Sequence, residues 1–384
     1  MPTDWIASGL DRSQLRLPGT VRAQPPAATL EMAGRAAAKV GVTRVADITR
    51  LDTIGIPTYQ AIRPLSRTLA VSQGKGVTPD LAKVSAVMES VEMWHVEQPM
   101  APAVNAAPRD LAGQLGYDIW ALPPSEPNVL HDGLKMDWLA ARSLADGEET
   151  AVPVAAVLLS LERNTDWNAP TFATSTNGLA SGNTLVEAVL HGLYEVIERD
   201  AMTAAFATGD LGVLVDPRTT GSPVIDELCT LIERAGVTLQ VRFVPSPTGL
   251  PCLLAWVACP DYPTAMFGFG CHVSTEIAMS RAITEAAQTR LGYISGARDD
   301  VRDKIDDSSA KRLRDQPGAE RDIKDLMPVP EEHDSLLGAL EYTVKRATAA
   351  FGHPPLVVDL TQDDIGVPVV KVVAPGARAS RELF

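Results

Sequence analysis

Between residues 184 and 207 apolar and polar positions recur with the 3.6-residue period of a helix. At about 100° per residue, Asn183, Glu187, His191, Glu195 and Glu198 form one polar stripe, and Val189, Leu190, Leu193, Val196 and Ile197 take the opposite arc. The arrangement recurs twice. Ser85, Glu89 and Glu92 share one side of a helix predicted from Pro79 to about Val96, with Val84, Val87, Met88 and Val91 on the other. Arg281, Glu285 and Gln288 align on a helix predicted over about 275–294.

Shorter apolar runs between these helices read as strands. They fall at 42–48 and 54–62 around a turn, and at 68–72 until Gly74-Lys75-Gly76 breaks the run. Others fall at 136–144, 151–160, 238–244, 251–259, 266–273, 355–360 and 367–373. Thr29 is placed to cap a helix reaching about Val40, and two more helices are predicted at 225–235 and 333–351. Residues 1–28 read as an irregular arm, 98–127 as a connector with a short helix, and 174–182 as a glycine-bearing loop. Residues 296–325 carry dense mixed charge, as a solvated helix or excursion would. Strands and helices alternate irregularly with no repeat period, which predicts a mixed α/β (α+β) class. A chain of 384 residues suits one large lobed domain or two domains.

The polar stripes raise the question of what neutralises them. The stripe at 183–198 carries no Lys one turn on, and Arg199 near its end is its nearest cation. A single acidic helix face is commonly a solvated surface; three with one spacing suggest faces that meet. Were they to meet, about six carboxylates would share a pocket and repel unless cations intervened, and divalent metals with phosphates are the natural guests. Arg281 adds a fixed cation suited to phosphate.

The remaining features narrow the function classes. A net charge of −14 argues against nonspecific binding to nucleic acid or anionic membrane. No apolar run approaches the ~18 residues of a membrane span, and the N-terminus lacks a basic region followed by an apolar one. Cys229, Cys252, Cys259 and Cys271 show no C-x-x-C spacing, which predicts reduced thiols in a cytoplasmic protein and no zinc site. Gly74-Lys75-Gly76 fails the Walker pattern because no Ser or Thr follows Lys75. His95, His131, His272, His333 and His353 are scattered, so no nucleophile–base arrangement and no general base is assigned.

Jointly, the motifs resemble those of the YcaO family. The matching pieces are Ser72-Gln-Gly-Lys-Gly with Ser85-xxx-Glu89-xx-Glu92; Ser181-Gly-Asn183-xxx-Glu187 with Glu195-Val-Ile-Glu198-Arg199; Arg281-xxx-Glu285-xx-Gln288-x-Arg290; and the run Ile365-Gly-Val-Pro-Val-Val-Lys-Val-Val-Ala-Pro-Gly. The resemblance spans about residues 18–376. It implies an N-terminal arm over 1–17 and a single YcaO domain over 18–384, with lobes around a central nucleotide pocket and a charged excursion at about 296–330.

It further implies ATP and Mg2+ as cofactors and activation of a peptide backbone amide by phosphorylation of its oxygen. By position, Glu89, Glu92, Glu187, Glu195, Glu198 and Glu285 would hold magnesium or order its waters. Ser85, Asn183, Arg199 and Arg281 would face ATP, with Arg22 and Thr29 near the nucleotide. A sulfur donor as nucleophile gives a thioamide, a Cys, Ser or Thr side chain an azoline, and an amine an amidine. The segment from Gly41 to Pro57, with Arg63-Pro and Ser66-Arg, is most similar to members accompanied by a TfuA-type protein, which favours the thioamide. The ending Arg378-Ala-Ser-Arg-Glu-Leu-Phe384 lacks the Pro-rich run of many azoline-forming members. The implied partners are a ribosomally made precursor peptide, a TfuA-like or peptide-binding protein, and a second copy in a homodimer. A non-catalytic nucleotide-binding assembly protein is the competing reading.

Overall fold

The computed structural model describes residues 5–159, 170–259, 262–297, 320–327 and 333–380. Its class is the expected mixture of helix and sheet. A hairpin of β1 (Leu15–Leu17) and β2 (Thr20–Arg22) leads into α1 (Pro26–Lys39). Strands β3 (Arg44–Asp47), β4 (Thr58–Ile62) and β5 (Val71–Lys75) form an antiparallel sheet in sequential order, covered by α2 (Pro79–Val96). A larger sheet has the order β6 (Val104–Ala106), β7 (Met136–Ser143), β15 (Leu356–Asp359), β16 (Val369–Val373), β9 (Leu179–Ser181), with β8 (Glu149–Pro153) added on β7. The third sheet has the order β13 (Tyr262–Cys271), β12 (Cys252–Cys259), β11 (Thr238–Val244), β10 (Val213–Asp216), β14 (Arg321–Asp322).

Helices α4 (Leu185–Thr208), α5 (Pro223–Arg234), α6 (Thr275–Ser295) and α8 (Leu336–Phe351) complete the packing, with α3 (Pro108–Leu111) and α7 (Ile323–Leu326) as single turns. Among the described residues, no helix is long and apolar enough to cross a membrane.

Local chemistry explains where the site-bearing helices start. Thr78 caps α2 by accepting from the Leu81 amide, with Pro79 in the first turn, where a missing N–H costs nothing. Thr184 caps α4 by accepting from the Glu187 amide, and Gly209 ends that helix in the left-handed region. Helix α4 buries Val189, Leu193 and Ile197 in a core shared with α8, β12, β13 and β16. A second core joins α1 and α2 to the six-stranded sheet, and a third joins α5 and α6 to the five-stranded one.

Several expected elements are corrected. Gly74 does not break its strand; β5 runs through it to Lys75. A Cβ there would stand 1.9 Å from the Ala86 amide nitrogen, so the glycine lets α2 lie directly on the strand backbone. Gly268 plays the same part under α6, with Ala282 and Ala286 each 2.2 Å from where its Cβ would be. Helix α1 begins at Pro26 rather than after Thr29, because proline opens a first turn without losing a bond; Thr29 sits inside that turn and points elsewhere. The loop expected at 174–182 contains β9, too short to register as a periodic run. The strand expected at 151–160 lies at Glu149–Pro153. The 1–28 segment is not irregular throughout, since it carries the β1–β2 hairpin. Most of the charged stretch at 296–330 lies outside the described residues; 320–327 supply β14, parallel to β10, and α7.

A buried ion pair ties the β4–β5 connection to the end of α2. Glu97 accepts Arg63 Nη1 at 2.7 Å and Nη2 at 2.8 Å, the Ser66 hydroxyl at 3.0 Å, and both the amide and hydroxyl of Thr68. Burial alone would raise the Glu97 pKa, but Arg63 and Thr68 outweigh it and hold it low. A lowered carboxylate stabilises the fold above its unfolded pKa and ceases to as pH falls through its folded pKa. Glu97→Gln should therefore cost about 3–5 kcal/mol at pH 7 in urea unfolding, because it leaves Arg63 buried and uncompensated. The gap to wild type should shrink in acid.

Candidate functional site

The three polar stripes face one another. Glu195 on α4 lies within electrostatic reach of Arg199, Lys371, Arg281 and Glu285, and Glu92 on α2 within reach of Glu89 and Glu195. Glu198 lies within the same reach of Glu285, Arg199, Arg281 and Glu195. Walls from α2, α4 and α6 thus converge, with β5 and β16 between them supplying Lys75 and Lys371.

One corner is built around the start of α4. The Thr29 hydroxyl donates to Asn183 Oδ1 at 2.8 Å, and Asn183 Nδ2 donates to both oxygens of Glu187 at 3.1 Å. Glu187 also accepts the Ala23 amide at 2.7 Å and pairs with Arg22 Nε at 3.7 Å. Burial pulls the Arg22 pKa down and the Glu187 charge opposes that pull. Arg22 and Thr29, far from the Asn183–Glu187 stripe in the sequence, therefore join it in one cluster.

The other acids are held differently. Glu92 accepts the amide and hydroxyl of Ser181 at 2.8 and 2.5 Å. Burial still pushes its pKa to about 8, against those bonds and with the Glu89 charge pushing the same way. Burial, reinforced by Glu285, takes Glu198 to about 7. Glu195 is raised by burial despite Arg199, whose Nη2 is 3.5 Å away. Glu285 ends lower than usual: burial would raise it, but Lys75 at 2.5 Å overrides this, and the Phe269 amide donates to it at 3.3 Å. Arg281 Nη2 donates to His191 Nε2 at 3.1 Å. Burial, then the charges of Arg281 and Arg22, push the His191 pKa well down, so the ring is neutral and its proton sits on Nδ1.

Glu89 and Ser85 lie half-buried on the same face of α2, one turn apart. Gln288 departs from its alignment with the acids. Its Nε2 donates to the Gln73 carbonyl at 2.8 Å, stitching α6 to β5. Two cations escaped sequence reasoning. Lys75 stood in a tripeptide that reads as a turn. Lys371 is buried and donates to the Ser175 carbonyl; burial lowers its pKa to about 8 against the pull of Glu195. A single charge inside Val-Val-Lys-Val-Val was the available signal, since a lone lysine in a fully apolar strand demands a partner.

The donor set suits a hard cation: carboxylates predominate, and burial raises Glu92 and Glu198 to about 8 and about 7 even with Arg199 beside Glu198. Among the described residues, no three His, Cys, Asp or Glu side chains close on one point as a metal cage. The acids line separate walls, the arrangement magnesium takes when it keeps waters and shares carboxylates with phosphate. None of the four cysteines is in a disulfide; Cys259 is half-buried and the others buried.

Residues 73–378 match the family model described as YcaO cyclodehydratase, ATP- and Mg2+-binding. The chain belongs to the YcaO family. Among YcaO relatives, an uncharacterised Mycobacterium tuberculosis protein is 39% identical over 88% of this chain and 78% of its own length. A Rhizobium leguminosarum protein encoded in the tfuA 3′ region is 31% identical over 92% of this chain and 88% of its own. YcaO from Methanopyrus kandleri, solved with AMPPCP and Mg2+, superposes with a TM-score of 0.78 at 26% identity, covering 95% of this chain and 94% of that one. A heterocyclase solved with substrate and cofactor shares the fold, with a TM-score of 0.76 at 23% identity over 96% of this chain and 55% of its own.

A raised carboxylate binds its proton more tightly in the folded state, so it destabilises the fold as pH rises from about 4.5 to about 7 and most strongly above. Glu198→Gln should stabilise the magnesium-free protein at pH 8 by roughly 1–3 kcal/mol, with the gain vanishing near pH 4–5. Thermal unfolding of both proteins across that range, in EDTA, measures it.

Proposed function

We propose that this YcaO protein binds ATP with Mg2+ in the three-walled pocket and uses it to activate a backbone amide of a ribosomally made precursor peptide. The observation that carries the reading is the convergence of Glu89, Glu92, Glu195, Glu198 and Glu285 with Lys75, Arg199, Arg281 and Lys371 on one half-buried space. Such a mixture suits a polyanion that arrives with its own divalent cations. Glu89, Glu92, Glu187, Glu195, Glu198 and Glu285 are assigned to magnesium or its waters. Ser85, Asn183, Arg199 and Arg281 are assigned to the phosphates, with Arg22 and Thr29 on the nucleotide.

In this reaction a nucleophile adds to the amide carbon, and the resulting oxyanion attacks the γ-phosphorus of ATP. ADP leaves, and collapse of the adduct then expels the amide oxygen with phosphate. Bound magnesium supplies neutralisation of the charge that builds on the transferring phosphoryl group. The residues of the chain hold the phosphates in line and exclude water.

A sulfur nucleophile, giving a thioamide, is favoured, with a TfuA-like protein as partner. The support is the relative encoded beside tfuA and the resemblance of the segment from Gly41 to Pro57, with Arg63-Pro and Ser66-Arg, to TfuA-accompanied members. The azoline reading draws on the family's description as a cyclodehydratase.

Glu195→Gln and Glu198→Gln should each lower peptide-stimulated, Mg2+-dependent ATP turnover by more than about 100-fold while leaving the fold intact. Wild-type turnover in both variants would remove the site assignment. On the modified peptide, a gain of about 16 Da reads oxygen-to-sulfur exchange, and a loss of about 18 Da reads azoline or amidine formation. Tight nucleotide binding without turnover, with peptide and partner supplied, would favour the assembly-protein reading.

A further inference from the structure

Before the family-matched region begins at residue 73, the chain holds a carboxylate turned wholly inward. Asp11, in the short 3-10 turn Gly9–Arg12, has no exposed surface. Its Oδ2 accepts the Ser8 amide at 2.8 Å and the Ser8 hydroxyl at 2.6 Å, and its Oδ1 accepts the Thr184 hydroxyl at 2.5 Å. Because the Thr184 hydroxyl is the donor in this bond, its proton points toward Asp11. The lone pairs of that hydroxyl are then directed along α4, where Oγ1 accepts the Glu187 amide at 3.1 Å. Glu187 binds the Ala23 amide, Arg22 and Asn183, and Asn183 binds Thr29. Every link from Asp11 through Thr184 to Glu187 has a fixed polarity.

A threonine caps a helix without such help, and packing alone would be served at position 11 by an apolar residue of similar size. A buried carboxylate spent on the cap hydroxyl is what orients it. We propose that Asp11 is a positioning residue for the corner formed by Arg22, Thr29, Asn183 and Glu187, so that the N-terminal segment is a working part of the nucleotide site. The proposal rests on the nucleotide reading of that corner given above.

The test compares Asp11→Asn, Thr184→Val and Thr184→Ser with wild type. One readout needs no nucleotide: peptide-resolved amide hydrogen exchange of the free protein. The second is calorimetric affinity for Mg2+ with AMPPCP, a non-hydrolysable ATP analogue; urea unfolding reports global stability. Asp11→Asn replaces an acceptor with a donor, and Thr184→Val removes the hydroxyl. Both should speed exchange over residues 22–23 and 183–187 by at least about tenfold while distant segments stay protected. Both should also weaken AMPPCP binding about tenfold, and Thr184→Ser should restore both. Exchange at these amides that stays at the wild-type level, or rises only in step with the whole chain, overturns the proposal. Wild-type protein that binds no Mg2+–AMPPCP would sink the nucleotide reading instead; the exchange data would then decide the relay by themselves.

Discussion

Acidic side chains from three helices can share one half-buried space only because the packing of those helices leaves them no room to separate. Helix α2 rests on β5 and α6 on β13 at glycines where even a methyl group would collide with helix backbone. Alanines face those glycines, so helix and strand meet backbone to backbone. Dense apolar cores on the far side of each helix supply the free energy that opposes charge repulsion and desolvation. A larger residue at either glycine would move a whole wall.

Given that frame, each acid has a different local settlement. Lys75 holds Glu285 ionised, and Ser181 grips Glu92 without preventing its rise. Glu195 and Glu198 share Arg199 and stay raised. Arg281 is engaged with a neutral His191, which accepts a hydrogen bond from it but adds no charge. The pocket therefore contains both fixed cations and carboxylates that lack enough of them. That imbalance is a destabilised arrangement in the free protein and a favourable one for a ligand that brings divalent cations together with phosphates. The corner at the start of α4 is the exception, since the Ala23 amide, the Asn183 side chain and Arg22 all engage Glu187.

The periods of α2, α4 and α6 were legible because each helix is long and apolar on its packed side; observed and expected limits agree within a residue or two. The acids on them were legible for the same reason, since a period of 3.6 residues carries face information over five turns. Short elements were not. Strand β9 has three residues, too few to show alternation, yet its Ser181 holds Glu92. Gly74-Lys75-Gly76 reads as a turn because glycine is ambiguous in sequence; whether it bends a chain or admits a neighbour depends on what lies against it.

From the sequence alone came the mixed class, the three polar stripes, the family and the set of carboxylates, all properties of local periodicity and motif. Tertiary structure decided which groups meet. It brought Lys75 to Glu285, Lys371 within reach of Glu195, and Asp11 to Thr184 across 173 residues, and it took Gln288 away to Gln73. Those pairings follow from how strands β5, β9 and β16 are ordered against the helices. Such long-range contacts leave no periodic trace in the chain.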